Sequence, residues 1–129
     1  MNAEFEEKLI ISEWKQRALD DLQSAEILLR ENGNYEIVAY HAHQAVEKAF
    51  KTIILMGGKK FGFTHDLSKL LCDAGEIALT QEIQDGILSL NSIYPFLRYP
   101  SGEHISKEQA QGSVATARQA INILLRENK

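Results

Sequence analysis

The chain has 129 residues, a formal net charge of −4, and hydrophobic residues at 44% of its positions. That length is typical of one domain, and the apolar content is sufficient for one hydrophobic core. The acidic balance argues against a broad, non-specific nucleic-acid surface but is compatible with a local basic site. The single cysteine, Cys72, excludes an intrachain disulfide and a cysteine-based zinc site. Because the N-terminus lacks a signal-peptide pattern and no apolar run could cross a bilayer, we expect a cytoplasmic protein without membrane association.

The first predicted helix follows a charged lead-in. Residues 1–11 are interpreted as this lead-in, and residues 12–129 as a single domain. Ser12 is the predicted N-cap, and Gly33 is predicted to stop the helix in the C′ position. One helix face carries apolar residues at spacings of four and three, namely Trp14, Ala18, Leu22, Ala25 and Leu29.

The second predicted helix begins near Asn34 and has the widest apolar band of the chain. Its main stripe consists of Tyr35, Ala39, Ala42, Val46, Ala49, Ile53 and Met56. A band of this width predicts the central, most buried helix. The glycine-rich segment 57–63 that follows is predicted to be a loop.

Three further helices complete the predicted fold. Thr64 and Thr80 are candidate N-caps of the third and fourth helices, and Pro95 is predicted to kink or stop the fourth. Ser106 and Gln109 form a capping-box pattern before the last helix. The apolar stripe of that helix is Ala110, Val114, Ala117, Ile121 and Leu124. Because no segment alternates with period two, the sequence predicts an all-α, antiparallel, up-and-down bundle of four to five helices.

The irregular segment LRYPSGEH, residues 97–104, carries a candidate catalytic pair. Arg98 and His104 have five residues between them. A histidine can act as a general acid or base near neutral pH, and an arginine can grip a phosphate with two hydrogen bonds. Such a pair suits metal-independent cleavage of RNA, in which the base activates the 2′-hydroxyl and the cation stabilises the phosphorane. On spacing alone, an incidental arginine and an exposed loop histidine are the simpler interpretation.

The second helix also carries a polar face with two interpretations. This face consists of Gln44, Glu47, Lys48 and Lys51, and Glu47 and Lys51 are spaced as an i,i+4 ion pair. The residues either form a solvated surface or a strip that hydrogen-bonds across the bundle and lines a cleft. Composition favours the solvated surface.

His65 and the aromatic residues around Arg98 also have both a functional and a structural interpretation. His65 lies just inside the predicted third helix, with Asp66 in its first turn, where an anion could bind. We favour a structural role for His65, bonded to a carbonyl or an acid.

Tyr94, Phe96 and Tyr99 either stack bases or pack in a core or interface, and we favour packing. The histidines and acids are not clustered, so we predict no metal site and no cofactor.

Three segments, YEIVAYHAHQAVEKAFKTIIL, THDLSKLL and LRYP, together resemble the HEPN domain (higher eukaryotes and prokaryotes nucleotide-binding) over residues 12–126. The resemblance implies a helical bundle that commonly forms homodimers. Many members are metal-independent ribonucleases of toxin–antitoxin or defence systems, and their motif is an arginine, four to six residues, and a histidine. Arg98 and His104 match this motif, which would place them in a cleft shared by two protomers that binds RNA.

The resemblance also leaves a non-catalytic function open. The residue after the arginine is usually polar in active members, whereas here Tyr99 is followed by Pro100, which disfavours helix at Tyr99. Small members with RYP at this place resemble partners of minimal nucleotidyltransferases. The chain would then bind a nucleotide or the partner through Gln44, Glu47, Lys48, Lys51, His65 and Tyr99.

Overall fold

The fold is an antiparallel bundle of helices, seen in a computed structural model that describes residues 2–100 and 102–127. The elements, in chain order, are α1 (Ala3–Arg30), α2 (Tyr35–Met56), α3 (Leu67–Asp73), α4 (Gln81–Arg98) and α5 (Lys107–Ile121), which runs into a π-helical segment, Asn122–Glu127. The described residues contain no strand. The prediction of an all-α bundle is therefore confirmed.

Helix α2 lies at the centre of the bundle and contacts all four other α-helices. Its predicted stripe is buried from Ala39 through Ala49, and Phe50 and Ile54 extend the same band into the core. The alanines of this stripe let neighbouring helix backbones approach closely. The core is completed from the other helices, mainly by Leu22, Leu67, Leu70, Ile87, Leu90, Ile121 and Leu124.

Local capping signals fix several helix starts as predicted. The side chains of Asn34 and Thr80 each accept a hydrogen bond from a backbone N–H in the first turn of α2 and α4. Ser106 and Gln109 form the complete capping box at the start of α5. Such caps typically contribute about 1 kcal/mol each, so the sequence specifies where these helices begin.

The prediction for the beginning and end of α1 was wrong in detail. The helix begins at Ala3, after an Asn2 cap, and not behind Ser12, because Asn2 accepts from the N–H of Phe5 and acids in the first turn suit the helix dipole. At the other end, the left-handed residue is Asn32, with φ 55°, in place of Gly33. The N–H of Gly33 instead bonds to the carbonyl of Leu28, as in a Schellman motif.

The start of α3 differs from the prediction, and of the kink or stop predicted at Pro95 the stop does not occur. Asp66, and not Thr64, caps α3, and its carboxylate accepts from the backbone N–H groups of Ser68 and Lys69. Helix α4 continues past Pro95 to Arg98, so the proline does not stop it. The loss of one backbone hydrogen bond is tolerated here, since the neighbouring buried Tyr94 anchors the end of the helix.

Helices α4 and α5 meet at a close contact. A Cβ atom built on Gly86 of α4 would overlap the side chain of Thr116 on α5. Glycine is therefore required at this position for the two helices to keep their separation. Across residues 2–100 and 102–127, none of the helices combines the length and apolar content needed to cross a lipid bilayer.

Candidate functional site

A charged cluster, which we call the Glu47 cluster, consists of His43, Glu47 and Lys51, buried on α2, together with half-exposed His65. Glu47 is only 3% exposed, and its Oε2 accepts a 3.0 Å hydrogen bond from Lys51 Nζ. Its Oε1 lies 2.8 Å from Nδ1 of His65, which comes from the segment before α3. One buried carboxylate thus ties the middle of α2 to a distant loop.

His43 is fully buried in this cluster and is held by stacking. Its ring lies 3.9 Å from that of Tyr94, with 23° between the planes. Neither ring nitrogen has a hydrogen-bond partner among the described residues. Desolvation lowers the pKa of His43 to about 3; the charges of His65 and Lys51 add to this effect, and the backbone of His65 opposes it. The imidazole is therefore neutral at pH 7, and its 3.8 Å approach to Glu47 is not an ion pair.

The lysines of α2 are engaged inside the chain. Lys51 Nζ also lies over the rings of Trp14 and Phe61, at 5.6 and 5.0 Å from their centroids. Lys48 Nζ bonds to Asp21 of α1 at 2.6 Å, and the same carboxylate contacts His41 at 2.9 Å. These contacts pair the lysine charges that would otherwise be free to bind the phosphates of a nucleotide.

The preferred interpretation of the polar face as solvated was therefore wrong. Gln44, Glu47 and Lys51 are buried, and Lys48 is half-buried. The strip bonds across the bundle because α1 and the segment before α3 cover it. The Nε2 atom of Gln44 is buried without a hydrogen-bond partner in the part of the chain that the structure describes.

Tyr94 connects the Glu47 cluster to the surface. One face of its ring stacks on His43, and the guanidinium carbon of Arg98, one turn further along α4, lies 5.8 Å from its ring centroid. Burial raises the pKa of Tyr94, the charge of Glu47 adds to this effect, and Arg98 opposes it. Arg98 also lies 5.6 Å from the ring centroid of Tyr99. Two cation–π contacts therefore hold the arginine at the end of α4.

Arg98 and His104 line the same shallow surface cleft, which has a volume of about 360 Å³. Tyr99 is extended at φ −133° and ψ 137°, and Gly102 has φ 85°, so the backbone leaves the helix directly after Arg98. The side chain of His104 is 87% exposed, and its Nδ1 lies 3.2 Å from Oε1 of Glu36. The cleft is therefore a surface on which an imidazole and a guanidinium are accessible together.

Glu36 is held as an anion at the edge of this cleft. Its Oε1 accepts a 3.1 Å hydrogen bond from the backbone N–H of Ile105. That bond, assisted by the contact with His104, lowers the pKa of Glu36 in spite of an opposing effect of burial. Glu36 was not predicted as a site residue, because a contact across 68 positions leaves no local pattern in the sequence.

The predicted site residues thus fall into separate groups. Arg98, Tyr99 and His104 meet in the surface cleft. Gln44, Glu47 and Lys51 are buried, and half-exposed His65 bonds to Glu47 from the segment before α3. Lys48 pairs with Asp21 of α1. The structural role preferred for His65 agrees with its bond to Glu47, although His65 precedes α3 and does not lie inside it.

Of the aromatic residues expected to pack in a core or an interface, Tyr94 is buried in the core. Phe96 and Tyr99 are exposed in this chain. Among the described residues, no group of three or more His, Cys, Asp or Glu is arranged to hold a metal ion.

The fold and the site define a small all-α bundle with an arginine–histidine cleft at the end of one helix. The sequence-family model of the HEPN domain matches residues 11–128, nearly the whole chain. The chain therefore belongs to the HEPN family, as its sequence motifs predicted.

Two solved structures are similar to this chain. One is the crystal structure of TT1696 from Thermus thermophilus, with a TM-score of 0.78 and 21% identity over 91% of this chain and 97% of that one. The other is an archaeal HEPN homologue, with a TM-score of 0.72 and 21% identity over 92% and 98% of the two chains. At this identity the likeness shows a shared fold. No curated protein gives a significant match.

Proposed function

We propose that this protein is a metal-independent endoribonuclease of the toxin or defence type, which acts in the cytoplasm. The observation that carries the proposal is the placement of Arg98 and His104 on one accessible cleft. The α4 helix ends at Arg98, and the extended segment after it returns His104 to the same surface. Exposed Tyr99 beside them offers a ring on which an RNA base can stack.

The proposed reaction is an internal transesterification. The neutral His104 imidazole takes the proton of the 2′-hydroxyl, and the 2′-oxygen forms a bond to the adjacent phosphorus. The bond from phosphorus to the 5′-oxygen breaks, and that oxygen takes a proton from water or from an imidazolium of a second protomer. The products are a 2′,3′-cyclic phosphate and a 5′-hydroxyl. Arg98 stabilises the negative charge that builds up on the phosphorane oxygens.

We further propose that the cleft is completed by a second copy of the chain. Phe96 and Tyr99 line it and are 42% and 65% exposed. Tyr, Phe and Arg are enriched in protein interfaces, and each of them is present here. A two-fold arrangement would bring two Arg98–His104 pairs together and supply both a base and an acid.

The alternative is a non-catalytic module that binds a nucleotide or a minimal nucleotidyltransferase. The contacts of Lys48 and Lys51 with Asp21 and Glu47 weigh against a nucleotide site on α2. A partner surface around the cleft is compatible with the exposed Phe96 and Tyr99.

The test compares cleavage of labelled single-stranded RNA by wild type, His104→Ala and Arg98→Ala. Loss of a general base typically costs about 10²–10⁴ in rate. Arg30→Ala is the matched control, because Arg30 is also the last residue of its helix and lies outside the cleft. Equal rates for wild type and His104→Ala would refute the assignment. Absence of cleavage in all variants across varied RNAs would favour the binding module.

A further inference from the structure

Glu36 joins two parts of the chain that are remote in sequence. It lies in the first turn of α2, and its carboxylate reaches the segment just before α5. One oxygen, Oε1, accepts from the N–H of Ile105 at 3.1 Å and lies 3.2 Å from Nδ1 of His104. The glutamate side chain is 28% exposed, whereas the histidine it contacts is 87% exposed. Glu36 is thus the better fixed member of the pair.

We propose that Glu36 is a positioning residue that holds His104 in the tautomer protonated at Nδ1 and leaves Nε2 to act on the substrate. The inference rests on the proposed ribonuclease function, because it assigns the atom of His104 that accepts the 2′-hydroxyl proton. It names a residue that lies outside the arginine–histidine motif.

The hydrogen-bond donors and acceptors around His104 decide which of its nitrogens carries the proton. An ionised carboxylate can only accept hydrogen bonds, so a neutral imidazole can bond to it only through a nitrogen that carries hydrogen. The backbone N–H of Ile105 keeps Glu36 ionised. The proton of neutral His104 therefore lies on Nδ1, and the lone pair that accepts a proton lies on Nε2. In other proteins too, the tautomer of a histidine is set by the hydrogen bond that one of its ring nitrogens makes to a neighbouring group.

A purely structural role for Glu36 makes a different prediction. The bond to Ile105 N–H anchors the segment that leads into α5, and this bond requires only an oxygen acceptor. Glu36→Gln keeps such an oxygen. However, an amide can also donate, so it no longer dictates which nitrogen of His104 carries the proton. The Gln variant therefore separates anchoring of the loop from control of the tautomer.

The first measurement is independent of activity. Long-range ¹H–¹⁵N correlation spectra of the full chain report the tautomer of each histidine ring, and His104→Ala assigns the His104 signals. At a pH where the ring is neutral, the wild type should show the Nδ1–H tautomer of His104, and Glu36→Gln should lose that preference. Identical tautomer populations in the two proteins would overturn the proposal.

The second measurement is steady-state cleavage of single-stranded RNA. Glu36→Gln should lower kcat by about tenfold or more and leave KM within about twofold, because the tautomer matters for proton transfer and not for RNA binding. Glu82→Gln is the matched control and should be unchanged, since Glu82 occupies the first turn of α4 and does not line the cleft. An unchanged kcat in Glu36→Gln would overturn the positioning role.

The two proposals fail in distinguishable ways. If wild type cleaves no RNA, the proposed function fails, and the spectra alone decide whether Glu36 sets the tautomer of His104. If wild type cleaves RNA and Glu36→Gln matches it in both measurements, the function stands and the assignment of Glu36 is wrong.

Discussion

Removal of the Glu47 carboxylate should be among the most destabilising single changes in this protein. Glu47→Ala leaves the Lys51 ammonium buried without its 3.0 Å partner, and it also removes the partner of His65. Breaking a buried ion pair from one side typically costs about 3–5 kcal/mol. The rings of Trp14 and Phe61 still face Lys51, so we expect the lower end, about 3 kcal/mol. That corresponds to a fall in Tm of about 10 °C.

The assay is urea unfolding followed by circular dichroism, with Glu13→Ala as the matched control. Glu13 and Arg17 form an i,i+4 pair like that of Glu47 and Lys51, but their side chains are 69% and 65% exposed. The loss of such a surface pair costs about 0.5 kcal/mol or less.

A double variant separates loss of the pair from loss of packing. Glu47→Leu combined with Lys51→Met removes both charges and keeps side-chain volume, so it should recover most of the lost stability. If the free energy of unfolding of Glu47→Ala lies within about 1 kcal/mol of that of Glu13→Ala, the Glu47–Lys51 pair behaves like a solvent-exposed pair. The interpretation of the Glu47 cluster is then wrong.

Five further outcomes are expected. Arg98→Lys should recover only part of the cleavage lost in Arg98→Ala, because lysine lacks the planar fork, and EDTA should not change the wild-type rate, since side chains supply both base and charge in the proposed reaction. Sedimentation equilibrium at about 10–50 μM should report a dimer, and monomer alone would contradict the shared cleft. Burial lowers the pKa of His43 from 6.5 to about 3, so between these values the unfolded chain binds a proton that the folded chain does not. Above about pH 6.5, the burial of neutral His43 therefore causes no loss of stability. Below that pH, the free energy of unfolding falls by up to about 1.4 kcal/mol per pH unit, and urea unfolding of His43→Gln should show a flatter dependence on pH. Gly86→Ala should destabilise by about 1–3 kcal/mol through overlap with Thr116, and adding Thr116→Ala should recover part of that loss in the same unfolding assay.

The features that were predictable from the sequence are the local ones. Asn34, Thr80 and Ser106 cap their helices through bonds to residues three positions away, so short patterns identify them. The apolar periodicity of α2 likewise reveals its central place. The start of α1 was missed because its first turns expose Phe5 and Leu9, and no buried stripe marks them as helical.

The features that were missed depend on contacts between distant segments. Glu47 and Lys51 have the spacing of a surface ion pair, and nothing in α2 itself shows that other segments cover them. His65 reaches Glu47 from 18 positions away, and Glu36 meets His104 across 68. A hydrogen bond across such separations is set by how the helices pack, and a single sequence does not encode it as a pattern.

Contacts through Tyr94 and α2 connect the Glu47 cluster to the surface cleft. Tyr94 and Arg98 lie one turn apart on α4, so the position of one constrains the other. Tyr94 is fixed by its stack on His43, which lies on α2 one turn before Glu47. The other end of α2 presents Glu36 to His104. Helix α2 therefore supports both halves of the cleft, the arginine through Tyr94 and the histidine through Glu36. In the proposed ribonuclease, residues outside the cleft would thus set the geometry at which Arg98 and His104 meet the RNA.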